Sequence, residues 1–182
     1  RYPDLRIIFA HFYFLSADLE RAGQFFDAHP TVRFDLTPGV EMLYNLSRDP
    51  DASRDFFIQY ADRIVFGTDI SSGQSVEEAR LRAGLVFRWL ETEDSFRVPE
   101  EADFLLGPPD AGVIHGLALP GEALRAIYRE NFAELAGERP KQLDVGKAVE
   151  TCKRLAAVAA AMTDRSAVDS EAARVARALS PD

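Results

Sequence analysis

The sequence has few cysteines, few histidines and no long hydrophobic run. Cys152 is the only cysteine among 182 residues, so no intrachain disulfide can form and nothing indicates an oxidising compartment. The longest apolar stretches, 7–15 and 155–162, are much shorter than the roughly 20 residues that a membrane-spanning helix needs. A net charge of −9 opposes contact with phosphate backbones and anionic lipid. We therefore expect a cytoplasmic protein with a small-molecule substrate, and neither nucleic acid nor membrane as a partner.

Several common catalytic motifs are also missing. The sequence contains no P-loop, no Gly-x-Gly-x-x-Gly, no Gly-x-Ser-x-Gly and no Cys-x-x-Cys. These absences remove the usual nucleotide-binding, serine-hydrolase and redox interpretations. Apolar residues make up 47% and charged residues 28%, a balance typical of a globular protein with a sizeable buried core.

Apolar patterns in the first half predict strands that alternate with helices. Short β-branched or alternating runs indicate strands, and apolar residues at helical spacing after plausible caps indicate helices. The predicted order is a strand at 5–10, a helix from the cap Ser16 to the break at His29-Pro30, a strand at 32–36, a helix at 51–60, a strand at 63–66 and a helix at 75–91. Connections of this kind are right-handed and make the strands parallel. The predicted fold class is therefore α/β.

The second half has a different character. Residues 93–121 are predicted to form a long loop, and 121–136 a helix that stops at Gly137. Further helices are expected at 143–161 and 170–179. We accordingly expect two parts, an α/β domain at 1–137 and a helical extension at 138–182.

Polar side chains follow all three predicted strands. His11 ends the first, Asp35 and Thr37 lie near the end of the second, and Asp69 ends the third. Ligands of parallel α/β folds bind at the carboxyl ends of strands. If one strand separates the outer two, their backbones lie about 10 Å apart, and the side chains of His11 and Asp69 could meet at a divalent metal.

Each candidate also has a structural interpretation. His11 could be a buried histidine bonded to a backbone carbonyl, Asp69 a cap of local amides, and Asp35 either a support for a ligand or a strand-end turn residue. Two ligands are also fewer than the three that a catalytic zinc normally has. We expect His29 and His115 to be exposed and Asn131 to be a packing residue.

Three segments resemble the amidohydrolase-related family. YPDLRIIFAH at 2–11 resembles the family strand that ends in a metal-binding histidine, and DRIVFGTD at 62–69 resembles its final barrel strand, whose aspartate binds metal and handles protons. GLALP at 116–120 and IYRENFAEL at 127–135 are similar to its closing helix. The resemblance covers about residues 1–137 and extends to the aminocarboxymuconate semialdehyde decarboxylase-like superfamily of TIM barrels.

The resemblance implies a metal-dependent (β/α)8 barrel enzyme. Such enzymes hydrolyse small C–N or C–O substrates with a metal-activated water, and one branch decarboxylates unsaturated or aromatic acids without oxidation. By this resemblance His11 is a metal ligand, Asp69 is a ligand or the catalytic general base, and zinc is the expected metal. A third hypothesis is a barrel relative without catalysis that has a binding or assembly role.

The sequence also departs from the family pattern. The family usually has glycines after its ligand histidine, whereas Phe12-Tyr13-Phe14 stand here. We expect at least one of these rings in the core, and the others favour an apolar or aromatic substrate. Thr37-Pro38-Gly39-Val40 occupies a region where decarboxylating relatives commonly have a histidine, which disfavours decarboxylation.

The family's His-x-His ligands have no counterpart, and three strands cannot close a barrel of eight. We therefore expect this sequence to be the carboxyl-terminal half of a barrel. We expect the missing amino-terminal half of a longer chain to cover the exposed sheet edges, unless another chain, such as a second copy in a homo-oligomer, covers them.

Overall fold

The chain forms two compact units, Arg1–Glu138 and Arg139–Asp182. A computed structural model describes residues 5–38, 41–100, 112–163 and 166–180.

The first unit is built on a three-stranded parallel sheet with β2 in the centre. Its strands are β1 (Ile7–Phe9), β2 (Val32–Asp35) and β3 (Ile64–Val65). The register places Phe9 opposite Phe34 and Asp35 opposite Val65, so the carboxyl ends of the strands lie side by side. The α/β class is thus confirmed. Among the described residues the parallel sheet is open, and no closed barrel is seen.

The strands are shorter than the sequence predicts, for local reasons. β1 stops at Phe9 because the backbone turns left-handed from His11 onwards. Before β3, Arg63 belongs to the 3₁₀ turn Ala61–Arg63. After β3, the Phe66 N–H donates to a helix carbonyl rather than to a strand.

Three helices of the first half follow the predicted order, with one corrected cap, and the short helix Met42–Leu46 was not predicted. The helices are α1 (Leu19–Ala28), α2 (Met42–Leu46), α3 (Pro50–Gln59) and α4 (Val76–Glu91). Ser75 caps α4. The prediction of Ser16 as the cap of α1 is wrong, because the chain first turns at Leu15 and Asp18 then accepts the Arg21 N–H. Ser16 is instead buried and accepts a hydrogen bond from Asn45.

Aromatic rings dominate the core of this unit. The Phe34 ring of β2 lies 4.3 Å from Phe26 of α1 and 5.3 Å from Phe12. Trp89 of α4 is fully buried and meets Phe57 edge to face at 5.2 Å. Helical spacing of the apolar residues predicts that Val76 and Phe87 lie on the buried face of α4. This prediction is partly wrong, because both are exposed whereas Arg82 and Trp89 are buried.

The stretch predicted as a long loop contains a second, antiparallel sheet. Its strands are β4 (Ser95–Phe96) and β5 (Ile114–His115), and residues 101–111 lie outside the described part. The pair forms because Phe96 and Ile114 bury their side chains together in the core. The expectation of an exposed His115 is therefore wrong: His115 is half-buried, its N–H donates to Ser47 and its ring bonds to Ser95. His29 is exposed, as predicted.

A closing helix, α5, follows as predicted for 121–136. It runs through Gly121–Arg125, a π-helical turn at Ala126–Glu130 and Asn131–Ala136. The helix ends at Gly137, whose φ of 86° suits a glycine. The Ile127 carbonyl accepts the Phe66 N–H, and Asn131 donates to the carbonyls of Ala61 and Ile64 at 2.7 Å. Asn131 therefore does more than pack, since it binds the start of β3 to the closing helix.

The second unit contains two longer helices, α6 (Val145–Met162) and α7 (Glu171–Leu179), with a short 3₁₀ turn between them. Their bounds agree with the predicted 143–161 and 170–179. Asp144 and Ser170 cap them, and Ala156 and Ala176 are buried where the two helices pack.

In the part of the chain that the structure describes, no helix is both long and apolar enough to cross a membrane.

Candidate metal site at the strand ends

His11 lies where β1 ends, and its backbone and its ring are both bonded. The His11 N–H donates to the Asp35 carboxylate at 3.0 Å, and its Nδ1 lies 3.3 Å from the Thr37 carbonyl oxygen. A carbonyl oxygen only accepts, so Nδ1 must carry the proton in this bond. The other ring nitrogen, Nε2, then holds the free lone pair in the neutral ring. A histidine that donates one ring N–H to a carbonyl is oriented as metal-binding histidines usually are.

This backbone-carbonyl contact is also what the structural interpretation of His11 required. The contact is therefore compatible with both hypotheses, and the position of His11 at a strand end has to decide between them. His11 is only half-buried, so a ligand can reach the ring.

The residues that follow form a left-handed turn. The φ angles of His11, Phe12, Tyr13 and Phe14 are 56°, 51°, 52° and 56°. For residues other than glycine this conformation costs roughly 1–2 kcal/mol each. Burial of Phe12 among Phe34, Phe56 and Phe57 offsets part of that cost. Phe12 thus meets the expectation that at least one of the three rings packs in the core, whereas Tyr13 and Phe14 are exposed.

Asp35 and Thr37 connect the ends of all three strands. The same Asp35 oxygen that accepts the His11 N–H also accepts the Thr37 N–H at 3.0 Å. On the β3 side, Gly67 lies so close that an added Cβ would be 2.8 Å from Thr37 Oγ1 and 2.9 Å from Thr37 N. Glycine is needed here because any side chain would push the two strand exits apart.

Asp69 lies beyond Gly67, at the exit of β3. Its φ is 57°, and its side chain is 56% exposed. Arg82 of α4 reaches it from behind: Arg82 Nη1 lies 3.8 Å from the Asp69 carboxylate and donates to the Asp69 carbonyl at 3.4 Å. Arg82 is itself buried and forms a 3.0 Å ion pair with Glu78. Arg82 was not predicted as a site residue, although the i, i+4 spacing of Glu78 and Arg82 indicates a charge pair on one face of α4.

The structure brings His11 together with Asp35, and Asp69 together with Arg82. β2 separates the two outer strands, so the backbones at their ends are about two strand spacings, or roughly 10 Å, apart. Within the described residues no cluster of three His, Cys, Asp or Glu side chains could hold a metal. Imidazole and carboxylate are suitable donors for a divalent ion, but they make up two ligands where catalytic zinc has at least three.

Comparison with known proteins places the chain in a family. The model of the amidohydrolase family matches residues 1–137, about three quarters of the chain. The chain therefore belongs to the amidohydrolase family, and the resemblance of its motifs to the amidohydrolase-related family is confirmed. Membership suggests an enzyme with a hydrolase-type or related function. No curated protein and no solved structure matches the chain.

Proposed function

We propose that this chain belongs to a metal-dependent hydrolase that acts on a small C–N or C–O substrate. The observation that carries the proposal is the placement of His11 and Asp69, in a chain of the amidohydrolase family, at the ends of two parallel strands separated by one. In this proposal β1, β2 and β3 are part of a (β/α)8 barrel of the aminocarboxymuconate semialdehyde decarboxylase-like superfamily. The remaining strands lie outside the described sheet, on the rest of the barrel or on a second copy of this chain. Any ligand that they carry adds to His11 and Asp69, which bind zinc by themselves in this proposal.

His11 and Asp69 have different roles in this proposal. A bound divalent metal, zinc in our proposal, would lower the pKa of a water molecule and would polarise the substrate oxygen as a Lewis acid. His11 offers Nε2 as a ligand because its Nδ1 is held by Thr37. Asp69 is a ligand or the general base that takes a proton from the attacking water. The Asp69 carboxylate is exposed and is therefore accessible to a metal ion and to a water molecule.

The ligand assignment is tested by measuring zinc bound to the purified chain after equilibrium dialysis. His11→Asn and Asp69→Asn each remove a donor but suit a left-handed backbone, which asparagine tolerates better than most residues. His29→Asn is the matched control, since His29 is exposed and lies away from the strand ends. We expect both site variants to lose most of the bound zinc and the control to retain it. Unchanged zinc in both site variants would rule the assignment out.

A second candidate is a relative without catalysis that has a binding or assembly role, and the absence of a three-ligand cluster among the described residues favours it. An assay separates the candidates: the zinc-loaded protein is incubated with a panel of small amides, esters and unsaturated carboxylic acids. Released amine, alcohol or acid supports hydrolysis. Release of carbon dioxide would identify a nonoxidative decarboxylase instead. No turnover of the panel by zinc-loaded protein would favour the binding role.

A further inference from the structure

Asp35 bonds two backbone amides with one carboxylate oxygen. Oδ1 accepts the N–H of His11, which follows the neighbouring strand, and the N–H of Thr37, two residues further along its own chain, both at 3.0 Å. Hydrogen bonds from amides to an ionised carboxylate are about twice as strong as those between neutral groups. The carboxylate therefore stabilises the left-handed His11 and the turn after β2 at the same time.

The Thr37 bond also determines where the Thr37 carbonyl points. Thr37 precedes Pro38, and the proline ring confines the preceding residue to extended backbone conformations. Once its N–H is held by Asp35, the direction of its C=O is largely determined. That carbonyl oxygen is the one 3.3 Å from His11 Nδ1. Thr37 is buried, and Gly67 closes in from the β3 side, so the arrangement has little room to shift.

We propose that Asp35 is the positioning residue of His11: it holds the His11 backbone directly, and through Thr37 it selects the tautomer protonated at Nδ1. Nε2 then carries the lone pair. This proposal deepens the function proposed above and rests on it, because an oriented Nε2 serves a purpose only if His11 binds a ligand. Asp35 itself touches no ligand in this account.

The tautomer is measured on the metal-free 182-residue chain labelled with ¹⁵N-histidine. Long-range ¹H–¹⁵N correlations at about pH 8.5, where an ordinary imidazole is neutral, distinguish the two tautomers. The chain has three histidines, and His11→Asn identifies the His11 signals. We expect wild-type His11 to be protonated at Nδ1. Protonation at Nε2, or an average of both tautomers, would overturn the proposal.

Two variants test the role of Asp35. Asp35→Asn keeps an oxygen acceptor and should retain the Nδ1–H tautomer, whereas Asp35→Ala should give a mixture. Asp18→Ala is the matched control, because it also removes a carboxylate that accepts a backbone N–H at 3.0 Å, at the start of α1 and away from His11. An unchanged tautomer in a folded Asp35→Ala variant would contradict the proposal. If that variant does not fold, protonation of wild-type His11 at Nε2, or loss of the Nδ1–H tautomer in folded Asp35→Asn, still overturns the proposal.

Zinc affinity, measured by competition with a chelator, supplies the second readout. Removing a group that orients a ligand histidine typically weakens metal binding about 10- to 100-fold. We expect a loss of that size in Asp35→Ala, and near wild-type affinity in Asp35→Asn and Asp18→Ala. An equal loss in Asp35→Asn and Asp35→Ala would contradict positioning through the acceptor oxygen. If the wild-type chain bound no zinc, the proposed function would fail, whereas the tautomer would still test the role of Asp35.

Discussion

The exits of β1 and β3 reach a similar backbone conformation by different means. His11 and Asp69 have φ angles of 56° and 57°, and each is held by a side chain from another element. At His11 this is a carboxylate of the neighbouring strand, with short bonds to backbone N–H groups. At Asp69 it is a helix arginine, 3.8 Å from an exposed carboxylate. At 3.8 Å from an exposed carboxylate, the Arg82 guanidinium holds the Asp69 side chain less firmly than a 3.0 Å hydrogen bond would. The comparison indicates a rigid His11 and an adjustable Asp69, which suits a ligand and a group that exchanges a proton.

The exits of β2 and β3 come into contact at Gly67, and a substitution there should have the largest effect on the stability of the fold. In Gly67→Ala the new Cβ would collide with Thr37 and approach Asp35 Cγ to 3.4 Å. Overpacking of this kind costs about 1–3 kcal/mol. We expect a loss of that size in the free energy of unfolding, measured by urea denaturation. Gly84→Ala is the control, because a Cβ added at Gly84, in the middle of α4, meets nothing within 4 Å beyond its own helix. This variant should raise the free energy of unfolding by up to about 1 kcal/mol, since alanine is the better helix former. Equal effects of the two variants would contradict the close approach of the exits.

A smaller effect of opposite sign is expected at the His11 exit. Phe14 is 68% exposed and left-handed, with φ 56°, so Phe14→Gly should remove backbone strain at little cost in packing. We expect stabilisation by about 1 kcal/mol. Phe132→Gly changes another exposed phenylalanine, within α5, and should destabilise by about 0.5 kcal/mol because glycine is the poorer helix former. Thermal unfolding of both variants checks the contrast, and a destabilised Phe14→Gly would argue against the left-handed turn.

The smallest expected effect on stability depends on pH and concerns Tyr128 of α5 and Glu91 of α4. Phe66 after β3 packs against Tyr128 of α5, and the Tyr128 hydroxyl donates to Glu91 at 2.9 Å. Burial, followed by the bond to Glu91, raises the pKa of Tyr128 well above its usual value. A raised pKa means that the folded state holds this proton more tightly than the unfolded state. The resulting stability is complete below about pH 10, the usual tyrosine pKa, and is lost as the pH rises further.

Urea unfolding of the wild type and Tyr128→Phe between about pH 8 and 11 tests this contribution. We expect the wild type to lose stability more steeply above pH 10 than the variant. The variant should keep part of the slope, because burial also raises the pKa values of Tyr44 and Tyr60. Identical slopes in the two proteins would contradict the assignment to Tyr128.

Periodic patterns predicted most of the regular elements of this chain. The strands around β1, β2 and β3 and the helices α1, α3 and α4 all follow from apolar spacing and local caps, which depend only on nearby residues. The two-residue strands β4 and β5 were not predicted, because such a short pair shows no period and its paired residues are 18 and 20 positions apart in sequence. Their pairing depends on tertiary burial of Phe96 and Ile114.

The candidate site was predictable in part. Strand ends identified His11, Asp35 and Asp69, since the carboxyl edge of a parallel sheet is readable from the order of elements. The left-handed turn after His11 was not predictable, because aromatic residues disfavour it and tertiary contacts, the burial of Phe12 and the Asp35 bond to the His11 N–H, stabilise it. The role of Arg82 likewise depends on which way α4 faces, and that face differed from the predicted one at Val76 and Phe87.

Anomalous diffraction at the zinc absorption edge tests most directly our proposal that His11 and Asp69 hold one divalent metal. Crystals of the chain grown with zinc should show one strong peak about 2.0–2.2 Å from both His11 Nε2 and an Asp69 carboxylate oxygen. A peak bonded to His11 Nδ1, a peak at other residues alone, or no peak at saturating zinc would contradict the account.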